Sequence, residues 1–221
     1  MTSPLTDTLL AYWRMADRHK EALDQYRDLY GEPDDTSRYD DTRTTNAIEA
    51  SDFLDAAMES IARRNPLPPG CTVTLPGANG ATYTVTTGDL NDAARAAFLS
   101  GQCHAFARTL CETPGWKMVV LISESCSYDS DLCTPEDDAY DGLCSCRLEH
   151  VMALRPDGML VDARGAHAPA RVPGYEGQEY VELDARGWAY LCASPQWRRP
   201  AVAVARTFTA PLLAELDATT P

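Results

Sequence analysis

Between two short apolar runs, His150 to Leu154 and Met159 to Ala163, stands the tripeptide Pro156-Asp157-Gly158, and nothing else in the sequence restricts the fold so tightly. Proline presets the first φ of a type I turn, aspartate suits its second position, and glycine accepts the left-handed residue that closes a three-residue hairpin loop. Such a loop fixes the register: Arg155 pairs with Met159, Leu154 with Leu160 and Met152 with Asp162. His150 and Asp162 then lie on one face as diagonal neighbours. A slip of one residue would send Asp162 to the opposite face. A carboxylate so placed holds an imidazole's tautomer and stabilises its protonated form, leaving the other ring nitrogen for a nucleophile. Taken alone, the two residues are better read as a polar pair on the surface of an ordinary hairpin.

The second constraint is Ser100-Gly101-Gln102-Cys103-His104. Ser100 is read as a helix cap and Gly101 as the turn between the apolar run Ala93 to Leu99 and the run Phe106, Ala107, Leu110, Cys111. A thiol in the first turn of a helix feels unpaired N–H groups and the positive end of the dipole, which make it more acidic and more nucleophilic. The plainer reading is that Cys103, Phe106, Ala107, Leu110 and Cys111 share the spacing of a buried helix face, with Cys103 as core. His104 diverges from Cys103 by about 100° around the helix, so His150 is the better base. A helix-borne cysteine, a strand histidine 47 residues on and an in-register aspartate 12 residues later are together what thiol nucleophilic chemistry requires.

This order, over Gly101 to Leu110 and His150 to Gly165, resembles the papain-like superfamily in its broad sense, including transglutaminase-like and NlpC/P60-like enzymes. The likeness is one of order and spacing, since the Cys-Gly-Ser-Cys-Trp of papain itself is absent. It implies an α+β fold with the cysteine helix packed on an antiparallel sheet. Cys103 would be the nucleophile, His150 the general base and Asp162 its orienting partner, in a hydrolase or acyl transferase acting on an amide or thioester bond. The oxyanion hole would come from the Cys103 N–H and a nearby donor, for which Gln102 stands closest. Papain places its glutamine several residues earlier. The substrate would be a protein, a peptide or a small amide.

Four of the eight cysteines, Cys126, Cys133, Cys144 and Cys146, fall within 21 residues of an otherwise polar stretch. Four thiolates suit tetrahedral zinc, which would give a coreless loop its fold. Free thiols and two disulfides are the alternatives. Asp129-x-Asp131 begins like a calcium loop, but Cys133 and Thr134 break that pattern. A catalytic zinc using His150 beside Cys144 and Cys146 lacks an accompanying His-x-Glu motif. The rival from another class is a non-catalytic, zinc-stapled binding module on the same fold.

Elsewhere, Leu9, Tyr12, Ala16, His19, Leu23, Tyr26 and Tyr30 mark an amphipathic helix, residues 32–45 an acidic linker, and Asn46 to Arg64 a second helix. The expected division is therefore a helical region over 1–66 and an α+β core over 67–221, carrying an insertion at 123–148. Within that core, Thr72 to Leu75 and Thr82 to Thr86 form a hairpin, Leu90 to Leu99 a helix, and Met118 to Ile122, Tyr180 to Leu183 and Ala201 to Arg206 strands. Pro211 to Leu216 is read as a terminal helical turn. Asp-Ala-Arg-Gly occurs at 162–165 and again at 184–187, without similarity on either side. A net charge of −14 disfavours nucleic acid and anionic membranes as partners. The N-terminus lacks a signal-peptide pattern, and no apolar run reaches spanning length. The expected location is the cytoplasm, where cysteines more often bind metal, catalyse or lie buried than pair.

Overall fold

The computed structural model describes residues 66–124, 138–140, 143–193 and 197–219. The helices expected over Thr6 to Tyr30 and Asn46 to Arg64, with the linker between them, lie outside those residues. The chain divides into two compact units, Met1–Pro68 and Pro69–Pro221, and the second holds every element described.

That unit is α+β, with antiparallel sheets. It opens with a hairpin of β1 (Thr72–Pro76) and β2 (Thr82–Thr86), in which Val73 and Val85 pair and point inward. Helix α1 (Asp92–Leu99) follows, capped by the Asn91 side chain, which accepts from the Ala94 N–H at 3.1 Å. Ser100 ends α1, its N–H donating to the Ala96 carbonyl, and so is not the cap of the next helix as the sequence suggested. Helix α2 (Cys103–Leu110) starts instead behind Gln102, with no side chain capping it. Gly101 makes the break between the helices possible. Its φ is +104°, and a Cβ there would stand 2.6 Å from the Ala78 backbone nitrogen.

The main sheet has five strands in the order β8–β7–β6–β3–β9, all antiparallel: β3 (Lys117–Ile122), β6 (Leu148–Leu154), β7 (Leu160–Asp162), β8 (Gly165–His167) and β9 (Glu179–Glu182). Central β3 is buried on both sides, which is why it reads as a continuous apolar run. Met118, Val120 and Ile122 join Cys103, Ala107, Leu148, Val151 and Leu191 in one cluster, whereas Val119 and Leu121 join Met152, Leu160 and Val172 in another. Between β6 and β7 the expected loop is present. Gly158 has φ +85°, its N–H donates to the Arg155 carbonyl at 3.0 Å, the Arg155 N–H reaches the Met159 carbonyl at 2.9 Å, and Leu154 pairs with Leu160.

Three expectations need correction. The stretch 123–148 is not wholly loop: β4 (Asp138–Tyr140) pairs with β5 (Leu143–Cys144), a 3-10 turn spans Ser145–Arg147, and β6 already starts at Leu148. Helix α3 (Ala185–Ala193) was unforeseen. Asp184 begins it, its Oδ1 accepting from the Arg186 and Gly187 N–H groups at 2.8 and 3.0 Å. Ala201 to Arg206 belongs not to a strand but to helix α4 (Val202–Thr219), which runs through Pro211. Val202 and Val204 alternate with alanines as in a strand, yet Ala201 to Ala205 are all buried, and Phe208, Leu212 and Leu216 continue the face at helical spacing. Phe208 meets Phe98 edge-on at 5.1 Å while Phe98 stacks on Phe106 at 4.8 Å, locking α4, α1 and α2 together. Each buried ring contributes about 1.5–3 kcal/mol. Among the described residues no helix is long and apolar enough to cross a membrane.

Candidate functional site

Burying a polar side chain is costly unless it is hydrogen-bonded. Six polar or charged residues are buried among the described ones, and four of them, Gln102, His104, His150 and Asp162, gather around Cys103. That concentration marks the site.

His150 pairs with Leu121 on β3, so its ring projects on the face of the second apolar cluster. The register of the β6–β7 loop puts Asp162 beside it, with His150 Nε2 3.1 Å from Asp162 Oδ2. The other nitrogen, Nδ1, is thereby left for the Cys103 sulfur, with which His150 interacts directly. Tyr175 covers the imidazole, stacked at 5.1 Å between centroids and 6° between planes. Asp162 has further partners. The Arg164 guanidinium donates to Oδ2 at 2.6 and 3.0 Å, the Arg164 N–H to Oδ1 at 2.8 Å, and His167 Nε2 lies 3.4 Å from Oδ1.

The electrostatics follow from these contacts. Burial alone pushes the Cys103 thiol up, but the adjoining His150 charge, together with contacts from His104 and His150, more than offsets this and brings it from 9.0 down to about 5. Burial likewise opposes charge on His150, yet the Cys103 thiolate and the hydrogen bond to Asp162 raise it from 6.5 to about 9. Asp162 is held far below the usual carboxylate range: burial works against the charge, and hydrogen bonds from His150, His167 and Arg164 outweigh it. Both directions favour a thiolate–imidazolium pair backed by a carboxylate. The first main-chain bond into α2 runs from the Phe106 N–H to the Gln102 carbonyl, so the N–H groups of Cys103, His104 and Ala105 are the donors that a helix start leaves open.

Gln102 does not offer the oxyanion donor expected of it. Its Nε2 donates to the Pro76 and Arg199 carbonyls, each at 3.2 Å, and its Oε1 accepts the Ala201 N–H at 2.9 Å. Both amide hydrogens are committed, so Gln102 is a clamp that fixes the start of α2 against β1 and the segment 199–201. Cys126 and Cys133 lie outside the described residues, Cys144 ends β5 and Cys146 sits in the 3-10 turn. Among the described residues no three His, Cys, Asp or Glu side chains are arranged to hold a metal ion.

Sequence reasoning missed Arg164, His167 and Tyr175. Arg164 carried a signal, because in both copies of Asp-Ala-Arg-Gly the aspartate Oδ1 accepts the arginine N–H at 2.8 Å, in the first in the turn between β7 and β8 and in the second at the start of α3. Tyr175 carried none, since its stacking depends on the path of the loop after β8. Comparison with protein-family models, curated proteins and solved structures finds no match to this chain.

Proposed function

We propose that this domain is a papain-like thiol enzyme in the broad sense, a hydrolase or acyl transferase acting on an amide or thioester bond of a protein, a peptide or a small amide. The observation that carries the reading is the buried line of Cys103, His150 and Asp162, with the sulfur made acidic by the imidazole that would shuttle its proton. In this reading the Cys103 thiolate attacks the carbonyl carbon, forming a C–S bond while the π electrons move to oxygen. The open Cys103 N–H meets that oxyanion. As the tetrahedral intermediate collapses, the scissile bond breaks and the His150 Nδ1–H proton passes to the leaving nitrogen or sulfur. Water or a second amine then gives a proton to His150, attacks the thioester and releases Cys103 as thiolate. Arg164 and His167 keep Asp162 ionised and aimed, and Tyr175 shields the imidazolium face from water.

A chromogenic ester tests the acyl-enzyme. Mixed with p-nitrophenyl acetate, the protein should release a burst of nitrophenolate equal to its own concentration, and Cys103→Ala should abolish the burst while retaining the folded far-ultraviolet spectrum. A burst that survives Cys103→Ala sinks the reading. Cys126, Cys133, Cys144 and Cys146 form the proposed structural zinc site, which gives about one zinc per chain in elemental analysis of the reduced protein. Four freely titrating thiols in metal-free protein exclude it.

A further inference from the structure

An oxyanion has lone pairs for more than one donor, and the Cys103 N–H fills only one. Gln102 cannot supply another, because the Pro76 and Arg199 carbonyls hold both of its amide hydrogens. A second donor has to meet three conditions. It must keep its hydrogen while a thiolate stands beside it, it must be bonded to nothing else, and it must be fixed in place before substrate arrives.

The Tyr175 phenol meets all three. Burial raises it above its ordinary value, and the charges of Cys103, Glu149 and Asp162 add to this while Arg164 opposes them, so the O–H is intact at neutral pH. The Tyr175 ring lies parallel to the His150 imidazole, at 6° and 5.1 Å between centroids, which puts its oxygen beside the imidazole plane, where it competes for neither ring nitrogen. Cys103 acts on the hydroxyl through its charge and not through a hydrogen bond, and the hydroxyl bonds to no other described residue. A gap of that kind is what an oxyanion needs. The tetrahedral oxygen stands one carbon away from the sulfur, and its donor about 2.7–3.1 Å beyond that oxygen.

Placement comes from the loop after β8. Val172 is fully buried among Val119, Leu121, Met152 and Leu160, and the Tyr175 N–H donates to its carbonyl at 2.9 Å. The Gln178 N–H closes the turn on the Tyr175 carbonyl at 3.2 Å, and Arg164 Nη1 holds the Pro173 carbonyl at 2.7 Å. The same guanidinium grips Asp162, so phenol and imidazole are positioned from one point.

We infer that Tyr175 is a further catalytic residue, its hydroxyl donating together with the Cys103 N–H to the oxygen that becomes negative when Cys103 attacks a carbonyl. This rests on the reading of Cys103 as nucleophile. As the C–S bond forms, the carbonyl π pair moves to oxygen and both donors tighten on it. The phenol gives up no proton. When the intermediate collapses, that pair returns to re-form the C=O bond, the leaving group departs with the His150 proton, and the two hydrogen bonds slacken. The ring covers His150 and the hydroxyl serves the substrate.

Tyr175→Phe keeps the ring and removes only the oxygen. Two reactions of Cys103 then separate the roles: acylation by p-nitrophenyl acetate passes through an oxyanion, whereas alkylation by iodoacetamide displaces iodide at a saturated carbon and forms none. The variant should acylate about a hundredfold more slowly, read as the rate of the nitrophenolate burst, with Cys103 alkylation unchanged in rate and in pH profile. An unchanged acylation rate overturns the inference, since the side chain would then only cover the imidazole. Equal losses in the two reactions also overturn it, because Tyr175 would be acting through the thiolate. So does a variant that fails to fold, as a hydroxyl left free for substrate is not one on which the fold depends. A wild-type protein without a burst, or one whose Cys103 alkylates only above about pH 8.5, removes the nucleophile reading and this inference with it. That result is distinct from a wild-type burst that Tyr175→Phe leaves intact, which removes the inference alone.

Discussion

Helix α2 carries a cysteine at each end, and the two are opposites. Cys103 at the start is the more buried, yet it is brought down to about 5; Cys111 at the C-terminal end is pushed up to about 12 by burial, which Arg108 only partly opposes. Both belong to the same apolar surroundings. The difference is that the start of the helix is packed against His150 on β6, backed by Asp162, whereas at the end Arg108 is too weak an influence to outweigh burial. Burial makes a thiol inert unless a charge is built beside it, and here two elements far apart in sequence supply the thiol and the charge.

Removing the charge should collapse the contrast. In His150→Asn the largest opposition to the desolvation of Cys103 is gone, so its labelling by iodoacetamide at neutral pH should fall by about two orders of magnitude, toward that of Cys111. Peptide mass spectrometry of both sites reads this directly, and an unchanged Cys103 rate would mean that the helix start alone activates the thiol.

Asp162→Asn tests the support behind the charge and has a smaller expected effect. Asp162 raises the folded value of His150, so its loss lowers that value, and the imidazolium is surrendered sooner as pH rises. The alkaline limb of the acylation burst should move down from about 9 by roughly one to three pH units. Stability carries the opposite signature. Asp162 is depressed in the folded state, so its contribution is present above the ordinary carboxylate range and is lost as pH falls through and below about 4. Acid unfolding should consequently be less steep in the variant than in the wild type, and equal slopes would remove Asp162 from the buried network.

The smallest effects compare two glycines that serve the two halves of the site. Gly101 and Gly158 both have positive φ, but a Cβ at Gly101 would strike the Gly77 and Ala78 backbone, while at Gly158 it would meet open space. Gly158→Ala should cost about 1–2 kcal/mol in urea unfolding, the price of φ alone. Gly101→Ala should cost more, about 3 kcal/mol or above, because main chain must shift. Equal costs would mean that the start of α2 is not pinned to the β1–β2 turn.

These halves also differ in how far the sequence revealed them. His150 and Asp162 were legible together because the three residues that set their register lie between them, in Pro156-Asp157-Gly158. Cys103 was legible as a helix start, but what holds it was not: Gln102 reaches Pro76, Arg199 and Ala201, and His104 reaches Arg198, bonds that span 26 to 99 residues. A pattern read in short windows does not register them. The same blindness turned α4 into a strand, since Val202 and Val204 alternate locally and only the rings of Phe98 and Phe106 disclose that the segment coils against two helices. The sequence reading saw Asp184 only as part of a repeated tetrapeptide, and Gly187 inside the first turn of α3 weakens the helical pattern that followed.

The account turns on the Cys103–His150 ion pair, and competitive labelling of Cys103 and Cys111 in the wild-type protein from about pH 4 to about pH 10 measures it without a substrate. The predicted result is a Cys103 rate that rises with its midpoint around pH 5 while Cys111 stays unlabelled in the folded protein. Two rates that remain low together and rise together only above about pH 8.5 would contradict it.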